Sequence, residues 1–226
     1  MSRYVQMFEC LDGQGAFGAF LMLGDPDLQT SARLLDALVE GGADMVEVGI
    51  PFSDPVADGP VIQAAARRAL DAGVRVSDCF DLIAGFRERH PDVPALEAEP
   101  FEAQMAQAGL EPVLIAAVNT PDATLRRIAS LSKAYTYCVS RAGITGTHAG
   151  GQFDAGLVRR LRQAGAPPPI FGFGISSPDH VRAALATGAA GVICGSAIVE
   201  LASHGGSIAD LVRTLKDSTR NESLPQ

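Results

Sequence analysis

The chain has 226 residues, 47% of them hydrophobic, and its 26 Asp and Glu against 18 Lys and Arg leave a net charge of −8. An acidic chain with no basic stripe, no Trp and only 6% aromatic residues argues against nucleic acid, anionic membrane surfaces and single-strand stacking. No window approaches roughly 18 uncharged apolar residues, and Met1–Gln6 lack the basic-then-apolar pattern of an export signal. The expectation is one domain over residues 1–226 in the cytoplasm, with no membrane span.

Six short apolar runs appear in chain order: Ala16–Leu23, Met45–Ile50, Pro112–Val118, Ala134–Val139, Ile170–Phe173 and Gly191–Cys194. They are apolar almost throughout, as suits parallel strands buried on both faces. Amphipathic stretches separate them. Thr120-Pro121 and Ser177-Pro178 read as an N-cap followed by Pro at the first helical position. Ser207 with Asp210 resembles a capping box. Gly41, Gly73, Gly109, Gly165 and Gly188 suit left-handed C-terminal caps. Alternating strand and helix means a parallel sheet with helical crossovers, and ligands bind at the carboxyl ends of such strands.

One interval breaks the rhythm. Between Met45 and Pro112 lie three stretches of helical character, Val61–Ala72, Ser77–Arg89 and Glu97–Ala108, and no strand candidate. His90–Pro100 joins one helix directly to the next. Residues from Asp217 to Gln226 read as a polar tail. The cysteines Cys10, Cys79, Cys138 and Cys194 form no paired motif and read as buried free thiols.

Four features carry chemistry. In Met45-Val-Glu-Val-Gly-Ile50, Val46, Val48 and Ile50 share one face, while Glu47 and Gly49 share the other, toward a barrel interior. A buried carboxyl has a raised pKa and can give and take protons near neutrality. The bland alternative is an ion pair, for which no strand offers an obvious partner. Next, Pro51–Pro60 leaves the active end of that strand with Asp54 and Asp58 stiffened by three prolines, although Asp-Gly-Pro also serves as an ordinary turn. Third, Gly172–Pro178 and Gly195-Ser196-Ala197 are glycine-rich strand-to-helix turns, in the relative position of a barrel phosphate site. Fourth, Tyr135–Gly146 and its continuation to Gly151 end a strand in small residues, either as a lid or as an ordered connection. Tyr137 faces inward there, and His148 reads as surface decoration.

Leu23–Pro26, Glu47–Pro60, Tyr135-Thr-Tyr137 with Ser140–Gly146, Gly172–Ser176 and Gly195–Ile198 together resemble the tryptophan synthase alpha chain family, from about residue 3 to 216. That resemblance implies a (β/α)8 TIM-barrel fold cleaving indole-3-glycerol phosphate to indole and glyceraldehyde 3-phosphate. It implies a beta chain as partner, in an alpha2beta2 complex, with pyridoxal phosphate only in that partner and no metal or cofactor in this chain. It assigns Glu47 as acid/base and Asp58 as the carboxylate meeting the indole N–H. It places Phe20, Tyr137, Thr145 and Phe173 around the substrate, and Gly146, Gly174, Gly195 and Ser196 around the phosphate. Against that pattern the third strand, third helix and fourth strand are missing, with a junction between about residues 94 and 97, leaving six visible strands. The other reading of the same residues is an inactive phosphate-binding remnant or a modulator of a beta chain.

Overall fold

The computed structural model describes residues 3–55, 58–97, 113–139 and 153–220. Its strands are β1 (Ala16–Met22), β2 (Met45–Gly49), β3 (Ala95–Glu97), β4 (Leu114–Ala117), β5 (Thr136–Val139), β6 (Pro169–Phe171) and β7 (Gly191–Cys194). They form one seven-stranded sheet in the order β3-β2-β1-β7-β6-β5-β4, parallel at every pairing. The helices are α1 (Arg3–Cys10), α2 (Leu28–Glu40), α3 (Pro60–Asp71), α4 (Val76–Arg89), α5 (Asp122–Leu131), α6 (Ala155–Gln163), α7 (Pro178–Ala186), α8 (Ser196–Ser203) and α9 (Ile208–Asp217).

The alternation within strands sorts side chains into two layers. Phe17, Ala19, Leu21, Val46, Val48, Cys138, Phe171, Val192 and Cys194 pack with Leu35, Leu38, Leu157, Val181 and Val212 of the helices. The opposite faces supply Ala16, Met45, Tyr135, Ile170 and Ile193, which cluster inside the curled sheet. Tyr4 and Met7 of α1 join that inner cluster and close the sheet's amino-terminal end. Helix α1 has apolar residues at Tyr4, Met7 and Phe8, with Leu11 in the turn just after it, the spacing of one helical face.

All six expected strands are present, and the seventh corrects the expected count. Ala95–Glu97 lies in the stretch expected to join two helices, and it pairs with β2 through Val46↔Ala95, Glu47↔Leu96 and Val48↔Glu97. The ladder opens with the Val46 N–H donating to the Pro94 carbonyl at 2.9 Å. Three residues after a proline are too few to show periodicity, so the run was not visible in the sequence. The place beside β2 is therefore filled, and the outer edges of the described sheet are β3 and β4. Glu97 begins no helix, and the rest of the Glu97–Ala108 stretch lies outside the described residues, as do Gly109 and residues 221–226.

Local signals held in part. Ser177 caps α7, accepting from the His180 N–H, with Pro178 in the first turn, and Ser207 caps α9. Thr120 caps nothing; Pro121 takes the cap position of α5, and the Thr120 hydroxyl accepts from the Ala117 N–H instead. Gly73, Gly165 and Gly188 are left-handed, but after α2 that role falls to Gly42 and not Gly41. Cys79, Cys138 and Cys194 are buried and in no disulfide, the thiols of the last two pushed up to about 12 by burial, whereas Cys10 is exposed. Helix α9 runs through Asp217, so the polar tail starts later than expected. No described helix is long and apolar enough to cross a membrane.

Candidate functional site

Glu47 sits in β2 with its side chain on the inner face, because Val46 and Val48 occupy the helix-facing side. Its Oε2 is buried and has no hydrogen-bond partner among the described residues. Burial, helped by the negative charge of Asp58, pushes its pKa up to about 7. Asp58 is itself raised by burial. No cation compensates either group among the described ion pairs, so the sequence alternative of a structural pair for Glu47 finds no partner there. Two inward carboxyls whose charges act on each other, one of them raised to about 7, are the kind of pair that can divide acid and base work. Asp54, the other carboxylate of this loop, is exposed, as is Phe52.

Tyr137 projects from β5 on the same inner face. Burial first, then the charges of Glu47 and Asp58, push its phenol well up. Its ring meets Phe173 edge-on, with centroids 5.7 Å apart at 84°. The hydroxyl passes directly over Gly172, where a Cβ would overlap it. Gly172→Ala should therefore expel the Tyr137 ring. The expected result is about 1–3 kcal/mol of destabilisation, the usual range for overpacking, with the loss of any Tyr137-dependent turnover. Thermal unfolding and turnover measured side by side check this.

Phe20 is half-buried at the end of β1. Cβ atoms built at Gly49 and Gly195 would meet it at 2.8 and 3.5 Å, so these two glycines flank its ring. Gly195 stands at the start of α8 without any side-chain cap, leaving Ser196 as the first helical residue. Gly174 is exposed, left-handed at φ +80°, with open space where a side chain would go. The two turns thus lie at the carboxyl ends of the adjacent strands β6 and β7. An uncapped helix start beside an open glycine turn presents N–H groups to an anion.

Thr145, Gly146, His148 and the remainder of residues 140–152 lie outside the described residues, as do Val56 and Ala57. Two contributors escaped the sequence reading. Tyr135 lies on the inner face two residues before Tyr137, buried, its hydroxyl unpartnered among the described residues and electrostatically coupled to Glu47. The period-two spacing from Tyr137 would have found it. Gln63 holds the Asp58 loop from α3, a contact no pattern announces. Among the described residues, no cluster of three or more His, Cys, Asp or Glu is arranged to hold a metal.

The family model described as "Tryptophan synthase alpha chain" matches residues 9–94 and 90–223. The tryptophan synthase alpha chain of Aeromonas hydrophila is 43% identical over 241 aligned positions, covering 89% of this chain and 90% of that one. That of Yersinia pseudotuberculosis is 41% identical over 259, covering 97% and 96%. A solved structure of tryptophan synthase from Mycobacterium tuberculosis superposes with TM-score 0.80 at 28% identity, covering 97% of this chain and 98% of that one. In the first alignment, 89% of 226 residues is about 201, so about 40 of the 241 positions have no counterpart here. The second gives about 40 as well, from 259 positions and 97% of 226, about 219. The two family matches meet at residues 90–94, which sets the omission at the turn into β3.

Proposed function

The chain belongs to the tryptophan synthase alpha chain family, a family of lyases in tryptophan biosynthesis, and on that premise we propose that it cleaves indole-3-glycerol phosphate to indole and glyceraldehyde 3-phosphate. The observation that carries this reading is the inward Glu47 carboxyl, its Oε2 buried without a partner among the described residues and its pKa pushed up to about 7 by burial and by Asp58.

The chemistry follows from those two groups. Protonated Glu47 gives its proton to indole C3, which places positive charge on the ring nitrogen. The Asp58 carboxylate stabilises that charge through the N–H. Glu47, now a base, takes the proton from the hydroxyl on the adjacent glycerol carbon. The bond between that carbon and C3 breaks, its electron pair returns to the ring, and an aldehyde and neutral indole result. A group poised near pH 7 is populated in both forms. Phe20 and Phe173 wall the ring, Tyr137 lies beside the glycerol hydroxyl, and Gly174, Gly195 and Ser196 hold the phosphate, with Thr145 and Gly146 assigned by resemblance. Every group in this scheme comes from the chain itself. By the same resemblance, indole passes to a beta chain that carries pyridoxal phosphate.

The test is incubation of the chain with indole-3-glycerol phosphate, with and without a beta chain, following indole and aldehyde release. Release in equal amounts is expected; no release in either condition leaves a binding remnant. The phosphate cup has its own check. A Cβ at Gly195 meets only an ordinary 3.5 Å contact, and its φ of −115° is not left-handed. Gly195→Val should fold, yet crowd the anion and weaken glycerol phosphate binding at least about 10-fold, or about 1.4 kcal/mol. Unchanged binding by calorimetry would move the cup elsewhere.

A further inference from the structure

Asp58 is the last acidic residue before α3, and α3 is held to the rest of the molecule by polar contacts that the scheme above does not use. At its start, Gly59 offers no side-chain cap. Instead the Gln63 Nε2 reaches back to donate to the Asp58 carbonyl at 2.8 Å and to the Pro55 carbonyl at 3.3 Å. Both partners are acceptors, so the amide must present its NH2 group to them. The Asp58 N–H also donates to the Pro55 carbonyl at 3.2 Å, so one side chain closes both carbonyls of that turn. One and a half turns further along α3, Arg68 donates from Nε and from a terminal nitrogen to the two oxygens of Asp25, both at 2.7 Å. Asp25 is only 6% exposed and lies just past the end of β1, where the neighbouring Gly24 N–H donates to the Ser31 hydroxyl. Arg68 itself is 40% exposed, so the pair adds little net stability, but its two-pronged geometry ties α3 to the end of β1.

We propose that Gln63 is a positioning residue for Asp58, and that the Asp25–Arg68 pair fixes the helix from which it acts, so that together they set the Asp58 carboxylate opposite Glu47. This rests on the function proposed above and deepens it. Gln63 acts through the main chain, by its contacts to the Pro55 and Asp58 carbonyls. It holds the main chain on both sides of the residue that must meet charge developing on the indole nitrogen. Its contribution belongs to the transition state and not to phosphate binding.

The experiment is a double-mutant cycle of Gln63→Ala and Asp58→Asn, read by steady-state kinetics and by carboxyl-carbon NMR titration of Glu47. Gln63 is exposed, so its truncation should leave the fold intact. Gln63→Ala alone is expected to lower kcat about 10-fold with KM changed less than about 3-fold, the scale of one lost oriented contact. It should also lower the Glu47 midpoint, in the direction of Asp58→Asn and by a smaller amount. In the Asp58→Asn background it should do neither, because coupled residues are non-additive. Arg68→Lys keeps the charge, loses the fork, and should behave the same way. Equal losses in both backgrounds, or a Gln63→Ala variant with the parent's kcat and midpoint, overturn the proposal. The titration needs no turnover. If Asp58→Asn itself moves neither midpoint nor rate, the reading of the site fails, and the role of Gln63 fails with it.

Discussion

Glu47→Gln should lower lyase turnover by at least about 10²-fold, the lower end of what acid–base catalysis contributes, and should at the same time make the folded chain more stable above neutral pH. The amide keeps the size and the place on β2 but neither gives nor takes the proton. The stability half follows from the same burial. Glu47 titrates at about 7 in the folded chain against an ordinary 4.5. Below about pH 4.5 both folded and unfolded chains hold the proton, and nothing is lost. Between the two values the folded chain holds the proton while the unfolded chain releases it, so stability falls as pH rises. Above about pH 7 the whole cost is present, on the order of 3 kcal/mol at about 1.4 kcal/mol per pH unit. Urea unfolding of parent and variant at pH 5 and pH 8 checks this: the variant's advantage should be small at the first and large at the second. An equal advantage at both values removes Glu47 as the source, and turnover within a few-fold of the parent removes it from the chemistry.

The second large effect is expected from the shortened sheet. The relatives possess about 40 positions that this chain lacks, and at roughly 0.05–0.15 kcal/mol per residue that amounts to about 2–6 kcal/mol of stability. The described sheet ends at β3 and β4, each with one unpaired edge. On β4, Ile115 stands in register with Tyr137 and so faces the barrel interior, yet it is 63% exposed. An inward isoleucine in water beside an open strand edge invites a second chain. We expect a lower melting temperature than an intact relative, self-association in sedimentation, and weakened turnover and beta-chain docking. Ile115→Lys should suppress the association while shifting stability by no more than about 0.5 kcal/mol, as for other exposed positions. A monomeric parent melting in one transition at an intact relative's temperature, with normal turnover, would sink this expectation.

The sequence carried the strand positions because doubly buried parallel strands are apolar without interruption, and Glu47 stood out for the same reason: a charge in such a run has to be explained. The inner and outer faces of β2 followed from period two alone. What stayed hidden has physical causes. β3 is three residues long behind a proline, so its identity comes from the neighbour it pairs with and not from its own pattern. The clearance of Gly172 under the Tyr137 hydroxyl is a contact between different strands, and glycine at 172 looked like part of a phosphate turn. Thr120 illustrates the limit of capping signals, since its hydroxyl found a nearer backbone donor in Ala117. Helix α1 went unread, because Tyr4, Met7 and Phe8 span barely two turns and lie among polar residues.

The sheet order has a consequence for how the chain assembles. β1 and β7, the first and last strands, lie side by side in the middle of the sheet, Ala16–Ala19 against Gly191–Cys194. Between the described strands, that ladder is the single link joining β3-β2-β1 to β7-β6-β5-β4. The half-buried Lys216–Asp44 pair, at 2.6 Å, bridges the same divide from positions 172 residues apart, and Asp44 also accepts from the Phe17 N–H. During synthesis the amino-terminal half of the sheet therefore waits, with one side of β1 open, until nearly the whole chain has been made. Such long-range closure is slow, and a closed eight-stranded relative, joined along two ladders, has a second route to the same end. Here the rate of forming one seam governs how long the half-built sheet stays exposed.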